Sequence, residues 1–189
     1  MYFSGGWYED YTGGGNNYGL FGITNYHGVA GLGGGSATRG TSATFSKYDG
    51  IFGSRTKVTV IGISDGSSNT LMYGEVAGTR QTSARTLTNG VAGTSSAVGQ
   101  FDWSWAGAGP LYTRRGLGQG IESEYRQFSS FHTGLVQFAS GDGSVRGIRV
   151  GGTANIPAAG ASSGGSPDWW LLQALAGRSD GLVTDPNGL

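Results

Sequence analysis

FSSFHTGLVQFASGDGSVRGIR, residues 128–149, decides the fold of this chain. Leu135, Val136 and Phe138 are strand-forming residues, and Val145, Ile148 and Val150 repeat that character after Gly141-Asp142-Gly143. A Gly-Asp-Gly step between two such runs is turn chemistry, because positive φ is cheap for Gly and tolerable for Asp. The stretch is therefore read as a β-hairpin, with Gly143 in the left-handed region. His132 precedes the first strand, with nine residues between it and Asp142.

A second segment runs from Gly50-Ile51-Phe52 through Lys57-Val58 to Ile61-Gly-Ile-Ser-Asp65-Gly66-Ser67-Ser68-Asn69-Thr70-Leu71-Met72-Tyr73-Gly74-Glu75. Asn25-Tyr26-His27-Gly28-Val29-Ala30-Gly31 lies upstream of it. Together with the His-x9-Asp-Gly element, these blocks resemble, in order, those of the planctomycete-type DUF1559 proteins, which are pseudopilin-like and secreted. Ser67 stands where that family usually has Thr.

The resemblance implies a pseudopilin-like antiparallel sheet and an extracytoplasmic or cell-surface location. It implies other pilin-like subunits, or further copies of this chain, as partners. Such proteins usually begin with a prepilin-type apolar helix. This chain opens at Met1-Tyr2-Phe3 without one, so membrane contact is expected only through a missing N-terminal helix.

The 189 residues are read as a single domain, 1–189. Gly is abundant at 39 residues but has no period of three, which excludes collagen. With 12% aromatics, including 5 Trp, there is enough large apolar surface to offset ordering entropy. The 12 basic and 12 acidic residues balance, and no Lys/Arg cluster exceeds the Arg114-Arg115 pair. Nucleic acid binding through an electrostatic footprint is therefore not expected. Near-zero net charge gives little colloidal repulsion and suits self-association. Cys is absent, which rules out Cys-based metal sites.

The expected architecture is α+β and β-rich, with long Gly-rich loops and one short C-terminal helix. Residues 1–23 read as irregular, 24–32 as a strand and 33–46 as a loop. Lys57–Val60 reads as a strand, and Ile61–Asn69 as a short helical turn with Ser64 or Asp65 as N-cap. Thr70–Val76 reads as the next strand. A polar loop follows at 78–96, then a half-buried strand from Phe101 to Ala106 and a loop over 107–120. Ser166-Pro167 marks a helix start, with Trp169, Leu172, Leu175 and Ala176 on one face and Gly177 at the end. Asp180–Thr184 reads as a last strand.

Each residue able to carry chemistry has a structural alternative. His132 is a candidate ligand or general base, since histidine titrates near neutrality. A catalytic His needs a nucleophile and an orienting carboxylate, and the sequence offers no such set. The expectation is that His132 holds a loop or the DG turn. Asp142 is expected to fix its turn; a Ca²⁺ role is the alternative, but Ca²⁺ asks for several carboxylates.

Asp65 and Glu75 suit a glycosidase only if they converge. Otherwise Asp65, Gly66, Ser68, Asn69, Thr70 and Gly74 serve the backbone, and Glu75 pairs with Arg80 or Arg146. Trp7, Tyr8, Tyr11, Trp103 and Trp105 form a candidate stacking platform for sugars, with core packing as the alternative. The leading expectation is a non-enzymatic structural protein without a cofactor. A carbohydrate- or surface-ligand-binding module and a hydrolase using His132 or Asp65/Glu75 are the rivals.

Overall fold

The computed structural model describes residues 2–4, 7–9, 23–32, 43–53, 57–77, 79–81, 99–101, 103–104, 110–120, 123, 127–155 and 164–182. Its centre is a five-stranded sheet. The strands are β1 (Tyr26–Gly31), β2 (Leu71–Glu75), β3 (Leu111–Tyr112), and the hairpin pair β6 (Leu135–Ser140) and β7 (Val145–Arg149). Their order is β7-β6-β2-β1-β3. Between β3 and β6 in the chain, β4 (Leu117–Gln119) and β5 (Phe128–Ser130) form a separate two-stranded parallel pair.

Alternation decides which face is inside. Along β6, Val136, Phe138 and Ser140 are buried while Leu135, Gln137 and Ala139 are half-buried, the period-two pattern of a strand with one covered face. The helix α2 (Pro167–Ala176) covers that face, and a short helical turn, α1 (Ala43–Ser46), packs its Phe45 beside the helix. Leu172, Leu175 and Ala176 of α2 meet Val29, Leu71, Val136, Phe138 and Ile148 of the sheet in one apolar cluster. Trp169 packs with Leu32 and Tyr48 in a second. At the helix start, Ser166 accepts a hydrogen bond from the Trp169 N–H and Pro167 occupies the first turn. Gln173 is fully buried on the same helix. Its Oε1 accepts from Thr113 Oγ1 at 2.6 Å, and its Nε2 donates to the carbonyls of Thr113 and Trp169.

The architecture is α+β and β-rich, but several local expectations are corrected. The sheet is mixed, because β3 runs parallel to β1. Parallel neighbours need a long crossover, and the chain from Leu32 to Pro110 supplies it. The segment expected as loop at 107–120 holds β3, a 3₁₀ turn at Thr113–Arg115, and β4.

Lys57–Val60 is not a strand; Val60–Gly62 is a 3₁₀ turn with Thr59, not Ser64 or Asp65, at its N-cap. Its apolar residues face solvent, Ile61 being 98% exposed, so alternation there finds no sheet to join. Asp180–Leu182 is a bend, not a strand. Short antiparallel pairs also appear where irregular chain was expected: Tyr2–Ser4 with Trp7–Glu9, and Thr79–Gln81 with Gly99–Phe101. Of the expected Phe101–Ala106 strand, Phe101 belongs to one short strand and Trp103–Ser104 pairs with Ile23–Thr24, the other residues lying outside the described ones.

Candidate functional site

The turn between β6 and β7 follows from its residues. Gly143 N–H donates to the Ser140 carbonyl at 2.9 Å and Ser140 N–H to the Ser144 carbonyl at 2.8 Å, while Gly143 takes φ +86°. A turn followed by a left-handed residue is the common three-residue hairpin loop. Asp142 Oδ1 accepts from both the hydroxyl and the N–H of Ser144, at 2.7 and 2.9 Å. Those two bonds, the hydroxyl first, hold its carboxyl below the usual Asp range. Asp142 therefore fixes its own turn. Among the described residues no three His, Cys, Asp or Glu side chains gather to hold a metal ion.

This turn docks on the Asp65–Thr70 loop. Gly141 N–H donates to the Thr70 carbonyl at 2.9 Å and Asp142 N–H to the Ser67 carbonyl at 3.1 Å; Arg146 Nη2 reaches the Ser68 carbonyl at 2.6 Å. The same loop grips the chain after α2. The buried Asp65 carboxylate accepts from Asp180 N–H at 2.7 Å and Gly181 N–H at 3.1 Å, and Asp65 N–H donates to the Arg178 carbonyl. Thr70 Oγ1 donates to the carbonyls of Gly66 and Gly177, and Asn69 Nδ2 to that of Asp65. Arg178 extends the knot to the Gly50 carbonyl through its guanidinium and to the Asp49 carbonyl through its N–H. Two stretches distant in sequence, 141–146 and 177–181, thus meet at this loop, and Arg178 ties in a third at Asp49 and Gly50.

Gly143→Val is expected to lower stability by about 1–2 kcal/mol through the left-handed backbone, although open space surrounds the position. His132→Ala, at a side chain that is 58% exposed, is expected to lose less than about 0.5 kcal/mol. Equal melting temperatures for the two variants contradict this ordering.

Asp180 is the residue that sequence reading missed. Burial, reinforced by the nearby Asp65 charge and opposed by the Leu182 N–H bond, raises its carboxyl to about 6. The folded chain therefore holds a proton on Asp180 that the unfolded chain, with an ordinary value of 3.8, has already released. The protonated form contributes stability that is fully present below about pH 4 and is lost as pH rises through 6. Asp180→Asn is expected to abolish that loss, worth about 1 kcal/mol once partial exposure is allowed for. Denaturant titrations of both proteins at pH 4 and pH 7 read it; parallel pH curves contradict it.

At the other end of the hairpin, His132 meets a carboxylate and not the DG turn. Its Nε2 lies 3.5 Å from Glu75 Oε1. Glu75 is there for a backbone reason. The β6–β2 ladder ends at the Phe138–Gly74 pair, which leaves the Gln137 N–H facing the strand end, and Glu75 Oε2 accepts it at 3.2 Å. Arg146, one of the two partners expected for Glu75, is on the Ser68 carbonyl instead, and the side chain of the other, Arg80, lies outside the described residues. The main chain of His132 is also held, its N–H donating to Ser130 Oγ and its carbonyl accepting from Gln119 Nε2.

Asp65 and Glu75 do not converge. β2 lies between them and sets roughly 13 Å between its own ends, beyond the reach of a carboxylate pair. The side chains of Trp7, Tyr8, Tyr11, Trp103 and Trp105 lie outside the described residues.

A family model described as "Protein of unknown function (DUF1559)" matches residues 8–150. The chain belongs to the DUF1559 family. The match takes in every strand of the five-stranded sheet and the whole knot except its Gly177–Gly181 side. No curated protein and no solved structure matches the chain. Among the described residues, no helix of this DUF1559 protein is long and apolar enough to cross a membrane.

Proposed function

We propose that this DUF1559 chain is the globular part of a pseudopilin-like, extracytoplasmic component of a secretion or pilus-type assembly, with a structural and not a catalytic role. The observation that carries the reading is how the motif side chains are used. Asp65, Asn69, Thr70 and Asp142 make hydrogen bonds within the fold, and three of these four bond main-chain groups distant in sequence or close a turn. Gly74 makes room for core rings. Balanced charge supports association with like subunits.

Fractionation of the native host carrying a C-terminally tagged gene tests it. The protein is expected in the extracytoplasmic or surface-attached fraction, and a wholly cytosolic protein overturns the proposal.

The contact between His132 and Glu75 favours a second reading, a hydrolase with His132 as base. Turnover on a panel of esters and glycosides that disappears in His132→Ala supports it. Activity unchanged in that variant removes His132 from the role.

A further inference from the structure

We infer that β7 is a docking edge for a second copy of this chain, the two copies pairing antiparallel about Gly147. The inference goes beyond the assembly role above and needs only the geometry of this edge.

β7 ends the sheet, with β6 on one side and, among the described residues, no strand on the other. Its pairing with β6 runs from Leu135–Arg149 to Ala139–Val145 without a register shift. The hydrogen bonds beyond both ends of the ladder, Ser140 N–H to Ser144 and Val150 N–H to Gly134, show which positions face β6. Antiparallel pairs alternate between bonded and non-bonded. Ser144, Arg146, Ile148 and Val150 therefore point their main-chain groups at β6, and Val145, Gly147 and Arg149 point theirs outward. No described residue bonds those outward groups. The edge also lacks two common blocking devices, since residues 145–149 contain neither Pro nor a bulge. Val145 is 68% exposed, and Gly147 and Arg149 are exposed.

The three outward positions are symmetric about Gly147. A two-fold pairing there matches Val145 with Arg149 of the second copy, Gly147 with itself and Arg149 with Val145, forming about six main-chain hydrogen bonds. Both sheets become one. In this register each Arg149 lays its aliphatic stem over an exposed Val145, and no like charges oppose each other.

The symmetric register is the fullest. A one-residue shift presents main-chain groups already bonded to β6. A two-residue shift keeps two of the three pairs within Val145–Arg149, and a four-residue shift keeps one, setting Arg149 against Arg149 or Val145 against Val145. The zero net charge of the chain leaves little long-range repulsion between copies.

Sedimentation of the full chain up to about 1 mM, where even weak association registers, is expected to show a monomer–dimer equilibrium. Val145→Lys places Lys against Arg149 and is expected to weaken the dimer about tenfold. The double variant Val145→Lys/Arg149→Glu sets opposite charges across the same pair and is expected to recover affinity to within about threefold of wild type. Both positions are exposed, so each variant should keep the wild-type melting temperature.

The amides of Val145, Gly147 and Arg149 should gain hydrogen-exchange protection on concentration, whereas those of Arg146 and Ile148 are protected throughout. A chain that stays monomeric overturns the inference, and this includes an edge that serves only a different protein's strand. A dimer indifferent to Val145→Lys, or not restored in the double variant, also overturns it.

Discussion

Gly74→Val is expected to destabilise the folded chain by about 3 kcal/mol. Gly74 pairs with Phe138 across β2 and β6. The rings of Phe128 and Phe138 pack at 5.2 Å between centroids, tilted by 58°, over the spot where a side chain at 74 would begin. A Cβ at this position overlaps both rings, which are fully buried and part of the main apolar cluster. Interiors packed at crystal-like density cannot absorb the added isopropyl group without moving a ring off its rotamer. Shrinking one ring should relieve the clash. In a double-mutant cycle, Gly74→Val with Phe128→Leu should lose less than the sum of the single changes, by about 1 kcal/mol or more. Denaturant midpoints check both statements. A Gly74→Val protein as stable as wild type contradicts the packing.

Asp65→Ala is expected to cost about 2–4 kcal/mol and also to weaken the pH dependence assigned to Asp180, whose larger cause is burial. The carboxylate is buried and accepts two main-chain N–H groups, which Ala leaves enclosed and unpaired. The same change removes the negative charge that helps raise the Asp180 carboxyl. Asp65→Asn, which keeps one acceptor oxygen, should fall between wild type and Ala. Melting curves at pH 4 and pH 7 separate the two effects. Loss of stability with an unchanged pH profile would mean that the two carboxyl groups are not coupled as described.

Local chemistry made much of this fold legible. Gly141-Asp142-Gly143 announced the hairpin because few residues tolerate positive φ, and Gly143 adopts it. Ser166-Pro167 announced the helix because cap and first-turn preferences are local. The Leu71–Glu75 strand was visible from its composition and length.

What could not be read is what depends on distant chain. The two-residue strand at Leu111–Tyr112 carries no periodicity, and only its parallel partner, Tyr26–Gly31, makes it a strand. Lys57-Val58-Thr59-Val60 has the alternation and no partner. In the site, the role of Asp142 was local and therefore legible, whereas Asp65 reaches 115 positions along the chain to Asp180. The Glu75 bond to the Gln137 N–H could not be read, because that group at the end of a ladder is defined only once the register is known.

Amide hydrogen exchange on the native protein tests most directly whether the motif residues are architecture. The amides of Gly141, Asp142, Asp180 and Gly181 all sit in turns, and all donate into the Asp65–Thr70 loop. They are predicted to exchange only with opening of the core sheet, at a free energy close to that of Val136 and Ile148. Exchange at the rate of unbonded loop amides would contradict the account.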